Sequence, residues 1–64
     1  MPADASQPLV LVVDDYADAR EMYVESLLVL GFRVAEASNG VEAVEKARGL
    51  APDAILMDLR CRTR

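Results

Sequence analysis

Five consecutive aliphatic residues, Leu9-Val10-Leu11-Val12-Val13, run directly into two acids, Asp14-Asp15, and this junction constrains the fold more than any other stretch. A strand without polar alternation has to be covered on both faces, which is the environment of a parallel sheet flanked by helices. Beyond the acids the apolar period becomes helical: Ala19, Met22, Tyr23, Leu27 and Leu30 share one stripe, with Arg20, Glu21 and Glu25 off it. Gly31 supplies a C-terminal stop. Phe32 to Ala37 reads as a second strand, and Ser38-Asn39-Gly40 as a turn. Asn39 followed by Glu42 fits a helix start of the capping-box kind, with Val41, Val44 and Ala47 as the buried side and Glu42 and Lys46 at i,i+4 spacing. Gly49 and Pro52 mark the end of that helix, and Ala54-Ile55-Leu56-Met57 forms a third strand that stops at Asp58.

The resulting order is β-α-β-α-β, an α/β fold. Two right-handed crossovers make the strands parallel, and if the chain reverses direction across the sheet the first strand lies between the other two, in order 2-1-3. The carboxyl ends of strands one and three are then neighbours. Asp14, Asp15 and Asp58 gather around one crevice, at the edge where open α/β sheets bind ligands.

A chain of 64 residues is one domain at most, and a domain this small buries only about 60% of the surface its unfolded form exposes. With 53% apolar and 28% charged residues it is nonetheless expected to fold. Net charge is −4, and Arg60, Arg62 and Arg64 are three of the seven basic residues, so the body before them is distinctly acidic and direct nucleic-acid binding by charge is not expected. Cys61 is the single cysteine and there is no histidine, which rules out an internal disulfide and a cysteine–histidine zinc site. The chemistry left to the chain is that of carboxylates. Residues 1–7 are expected to be a loose tail. No stretch approaches the roughly 18 apolar residues of a membrane span, and the start lacks a signal-peptide pattern, so no membrane association and a cytoplasmic location are expected.

Carboxylates gathered at strand ends repel one another by about 4 kcal/mol for a pair 4 Å apart at an effective dielectric near 20. A hard divalent cation offsets this, and Mg2+ favours one or two carboxylates together with water and phosphate oxygens. A carboxylate left free to attack then takes a phosphoryl group and becomes an aspartyl phosphate. Asp58, alone at the end of the apolar third strand, is the candidate nucleophile. Asp14 and Asp15 divide direct and water-mediated metal contacts, and Arg60, two positions beyond Asp58, is placed to offer its backbone carbonyl. The competing explanation is structural: an Asp pair between strand and helix also serves turns and N-caps. Asp53 reads as a turn residue, Asp18 as a first-turn helix charge, and Met22 and Tyr23 as core packing.

Taken together, Leu11-Val12-Val13-Asp14-Asp15, Ala37-Ser38-Asn39-Gly40 and Pro52-Asp53-Ala54-Ile55-Leu56-Met57-Asp58-Leu59-Arg60 closely resemble the receiver domain of bacterial two-component response regulators. The resemblance implies a partial flavodoxin-like, doubly wound parallel sheet over residues 8–60. It implies phosphorylation of Asp58 by a sensor histidine kinase or phosphotransfer protein, with Mg2+ held by Asp14, Asp15, Asp58 and the Arg60 carbonyl. Such a chain is a signalling switch and not a turnover enzyme.

The likeness stops at residues 61–64, Cys61-Arg62-Thr63-Arg64, a basic tail where receivers continue with Met-Pro and a Gly. Codons for Met-Pro-Asp-Ala that lose their first base encode Cys-Arg-Thr-Arg, so an interrupted reading frame is one expectation. The fourth-strand Ser or Thr and fifth-strand Lys of the family are not matched, and neither Thr63 nor Lys46, which falls on the second helix away from the crevice, substitutes for them. A second reading follows: a phosphorylation-incompetent truncated fragment that acts, if at all, as an interaction module. Because the third strand is interior in an intact receiver, its free edge from Ala54 to Met57 is expected to make the chain partly molten, self-associating or prone to aggregation. A nucleotide-binding enzyme half is disfavoured, since Asp-Asp and not a glycine-rich loop follows the first strand.

Overall fold

The computed structural model describes residues 7–58. The expected tail up to Ser6, Arg60 with its carbonyl, and residues 61–64 lie outside the described residues. The elements follow the predicted order: β1 (Leu9–Asp14), α1 (Ala17–Val29), β2 (Arg33–Ala37), α2 (Gly40–Leu50) and β3 (Ala54–Asp58). The three strands are parallel, in the order β2-β1-β3. β1 is the core strand, buried from Val10 through Asp14, as its unbroken aliphatic sequence requires. Among the described residues, no helix is long and apolar enough to cross a membrane.

Register is pinned at the amino ends by Asp53. Its carboxylate accepts the Leu9 N–H at 2.8 Å, and its own N–H donates to the Leu9 carbonyl at 2.8 Å. This aligns Val10 with Ala54 and, at the far end, Asp14 with Asp58. The β1–β2 pair runs from Leu9 opposite Arg33 to Val13 opposite Ala37. Arg33 also reaches back with Nε to the Gln7 carbonyl at 2.9 Å, tying the entry of β1 to β2.

Helix α1 ends in a Schellman arrangement. Gly31, at φ 95°, donates to the Leu28 carbonyl and Phe32 to the Leu27 carbonyl, so the predicted glycine stop rests on a left-handed backbone that a side chain would strain. Helix α2 begins as predicted, with the Asn39 side chain accepting the Glu42 N–H at 2.8 Å. The reciprocal bond is shifted by one residue, because Glu42 accepts from Ser38 N–H at 2.6 Å and not from Asn39. At the other end Gly49 lies within the helix, and Ala51, at φ 48°, is the left-handed cap before Pro52.

Only part of each predicted apolar stripe is covered: Ala19, Leu27 and Ala47 are half-buried as expected, and the other stripe positions are exposed. Leu11 and Val13 pack with Ala37 and Ala43, joined by Ala35 and Ala47. Small alanines let α2 lie close to the sheet, and Val41, 72% exposed, and Val44 point away. On α1 the half-buried positions include Ala19, Arg20, Val24 and Leu27, whereas Met22 (69% exposed), Tyr23 and Leu30 are exposed. The reason is geometric: both helices contact β1 and β2 and neither contacts β3. The apolar stripes are therefore wider than the surface beneath them, and Ile55, Leu56 and Met57 of β3 are exposed as well.

Candidate functional site

Asp14 ends the core strand and is 1% exposed. Its Oδ1 accepts the Tyr16 N–H at 2.9 Å, an Asx turn that bends the chain out of β1 toward α1. The structural explanation of the acid pair thus holds for one oxygen. It does not hold for the other: Asp14 Oδ2 is buried and, among the described residues, has no hydrogen-bond partner. Leaving a carboxylate oxygen unpaired in the interior costs on the order of 1–3 kcal/mol or more, a cost that a site keeps when the oxygen has another use.

Asp58 ends β3 directly opposite Asp14 and is half-buried. Paired residues of neighbouring strands point to the same face, with backbones about 4.8 Å apart. The two carboxylates therefore share one face at the carboxyl edge of the sheet. Asp15, one residue beyond β1, is exposed in the turn. Among the described residues, no three Asp, Glu, Cys or His side chains are drawn together as a metal-binding group. Folding brings Asp14 and Asp58 together, while Asp15 stands beside them in sequence without closing a three-carboxylate cluster. The donors that are present, a partnerless buried carboxylate oxygen and a second carboxylate across the strand pair, are hard oxygen ligands of the type Mg2+ takes.

Sequence reasoning missed the polar network on the other side of β1. Arg20, off the apolar stripe of α1, donates through Nη1 to the Asp14 carbonyl at 2.7 Å and through Nε to Glu36 Oε1 at 3.2 Å. Lys46 Nζ donates to the Glu36 carbonyl at 2.5 Å. It therefore lies over β2, with β1 between it and the strand that carries Asp58. Arg20, Glu36, Ala37, Ser38, Glu42 and Lys46 line an open cavity of about 210 Å3. Glu42 is held below the usual carboxylate range by the Ser38 backbone N–H and hydroxyl, with help from the charges of Lys46 and Arg20. The available signal was the spacing of Arg20, four residues after Tyr16 in the first turns of α1, from which a long side chain reaches back to the strand end.

A doubly wound parallel sheet with carboxylates at the ends of adjacent strands defines an α/β protein whose ligand site is the carboxyl edge. The chain belongs to the response regulator receiver domain family, whose model matches residues 10–63. It is 49% identical over 51 residues to the chemotaxis protein CheY of Thermotoga maritima, covering 78% of this chain and 42% of that protein. It is 41% identical over 59 residues to the transcriptional regulatory protein PrrA of Mycobacterium leprae, covering 92% of this chain and 25% of that protein. Hybrid signal transduction histidine kinase D of Dictyostelium discoideum is 38% identical over 53 residues, 83% of this chain and 3% of that protein. The chain thus spans less than half the length of these relatives. No solved structure matches it significantly. Receiver domains are signalling modules, and the family places this chain in two-component phosphorelay signalling.

Proposed function

We propose that the chain is a cytoplasmic phosphorelay receiver in which Asp58 accepts a phosphoryl group from a sensor histidine kinase or phosphotransfer protein. The observation that carries this reading is the pairing of Asp14 with Asp58 at the carboxyl edge, with one Asp14 oxygen buried and unpartnered among the described residues. Asp14, Asp15, Asp58 and the Arg60 backbone carbonyl would hold Mg2+, which when bound neutralises charge on the phosphoryl oxygens. An Asp58 carboxylate oxygen forms the new bond to phosphorus as the phosphorus–nitrogen bond of the donor phosphohistidine breaks, and the bonding pair leaves with the imidazole. Asp14 is locked by its Tyr16 contact and orients the acidic turn. The likeness to a hybrid histidine kinase supports a histidine-kinase partner.

The test is acetyl phosphate treatment followed by intact mass measurement. One added phosphoryl group is expected with Mg2+, and none with EDTA or in Asp58→Asn. Labelling that persists in Asp58→Asn would overturn the assignment. A complete lack of labelling of the folded wild-type chain would favour the second reading, an interaction module that is not phosphorylated. That reading draws support from Lys46 being engaged over β2 and away from Asp58.

The same chain is inferred to self-associate through β3, whose outer edge is unpaired among the described residues and whose Ile55, Leu56 and Met57 are exposed. Antiparallel pairing of two β3 strands about Leu56 sets Ala54 against Asp58, so no acid faces an acid across the pair. Sedimentation velocity should show a concentration-dependent dimer that Leu56→Lys reduces to monomer. A wild-type monomer throughout the micromolar range would sink the idea.

A further inference from the structure

We propose that Arg20 is a positioning residue for the acidic turn, holding the Asp14–Asp15 peptide in the geometry that a divalent cation requires, with Glu36 orienting Arg20. The inference rests on the Mg2+ site proposed above and extends it to residues outside that site. Its basis is the fork of the guanidinium. Nη1 grips the Asp14 carbonyl at 2.7 Å, and Nε grips Glu36 Oε1 at 3.2 Å. The Asp14 carbonyl belongs to the peptide unit joining the two acids, so fixing it fixes the plane from which Asp15 departs.

The rest of the network removes the freedom Arg20 would otherwise have. Its side chain is only 20% exposed, and its own N–H is committed to the Tyr16 carbonyl within the helix. Lys46 holds the backbone of Glu36 from α2. The turn is thereby clamped from both directions: Tyr16 N–H fixes the Asp14 carboxylate, and Arg20 fixes the Asp14 carbonyl. A planar fork meets two acceptors at once, which a lysine ammonium on a flexible stem does not reproduce.

Positioning and charge predict opposite signs. Arg20 is a cation near a cation site, so if it acted through charge alone its neutralisation would tighten Mg2+ binding. Loss of an outer-shell partner that orients ligands instead weakens metal affinity by roughly 10- to 100-fold. The experiment is a Mg2+ titration of wild type, Arg20→Gln and Arg20→Lys, followed by the amide NMR shifts of Asp15 and Tyr16. It is run at a temperature where circular dichroism shows the variants folded.

We expect Arg20→Gln to bind at least tenfold more weakly and Arg20→Lys to fall between it and wild type. Should Arg20→Gln not fold, Arg20→Lys decides: weaker binding supports positioning, and wild-type affinity overturns it. Unchanged or tighter binding in Arg20→Gln overturns the proposal while leaving the Mg2+ site intact. A wild-type chain whose shifts do not move with Mg2+ removes the site itself, and the proposal with it.

Discussion

Leu11→Ala is expected to leave the chain largely unfolded at room temperature. Leu11 is fully buried at the centre of β1, and it packs in the cluster that joins Val13, Ala37 and Ala43. Truncating a buried leucine costs about 2–5 kcal/mol, because the transfer energy of the lost methyl and methylene groups adds to that of the cavity left behind. A domain of this size has little margin to absorb such a loss. Met22→Ala is the matched control. Its side chain is mostly in solvent, so the change should fall within about 0.5 kcal/mol. Urea titration followed by far-ultraviolet circular dichroism separates the two. A Leu11→Ala variant as stable as Met22→Ala would mean that β1 is not the core.

Asp14→Asn should have two large effects of opposite value. Without Mg2+ the variant is expected to be more stable than wild type by roughly 1–2 kcal/mol, since a neutral amide is less costly to bury than an unpaired carboxylate. Asparagine retains the oxygen that accepts the Tyr16 N–H, so the turn itself is preserved. With Mg2+ present the order should reverse, because wild type gains stability by binding the ion and the variant does not. Thermal melts in EDTA and in excess Mg2+ read both effects. If Asp14→Asn is destabilising in EDTA, the buried oxygen has a partner in solution and the argument from its isolation fails.

Much of this is legible in one pass along the chain. Leu9 to Val13 specifies a strand covered on both faces, Gly31 a left-handed stop, and Asn39 with Glu42 a helix start, and each is found in place. These signals are local: a backbone angle, a capping oxygen or a run of aliphatic side chains carries its meaning within a few residues. Parallel strands also follow from crossover handedness, whereas the order β2-β1-β3 follows only if the chain reverses direction across the sheet, as it does.

Periodicity was a poorer guide to which helix face is inside. Val41 and Val44 look like core positions but are exposed, whereas Ala43 and Ala47 meet the sheet. The two stripes share Ala47 and differ in Ala43 against Val41 and Val44, and what selects between them is how closely α2 approaches β1 and β2. Asp53 is a comparable case. It reads as a turn residue, yet both of its hydrogen bonds to Leu9 set the register that brings Asp14 opposite Asp58.

By itself, then, the sequence determined the elements, their order and the presence of acids at strand ends, since these depend on short-range sterics and on where apolar residues fall. Only the tertiary structure decided that, among the described residues, one oxygen of Asp14 is buried without a hydrogen-bond partner and that Arg20 joins the Asp14 carbonyl to Glu36, whose backbone Lys46 holds from α2. Apart from the reach of Arg20 back to Asp14 across six residues, those facts depend on distances between residues well separated in the chain. Such distances arise from packing a helix against a twisted sheet, and no local pattern encodes them.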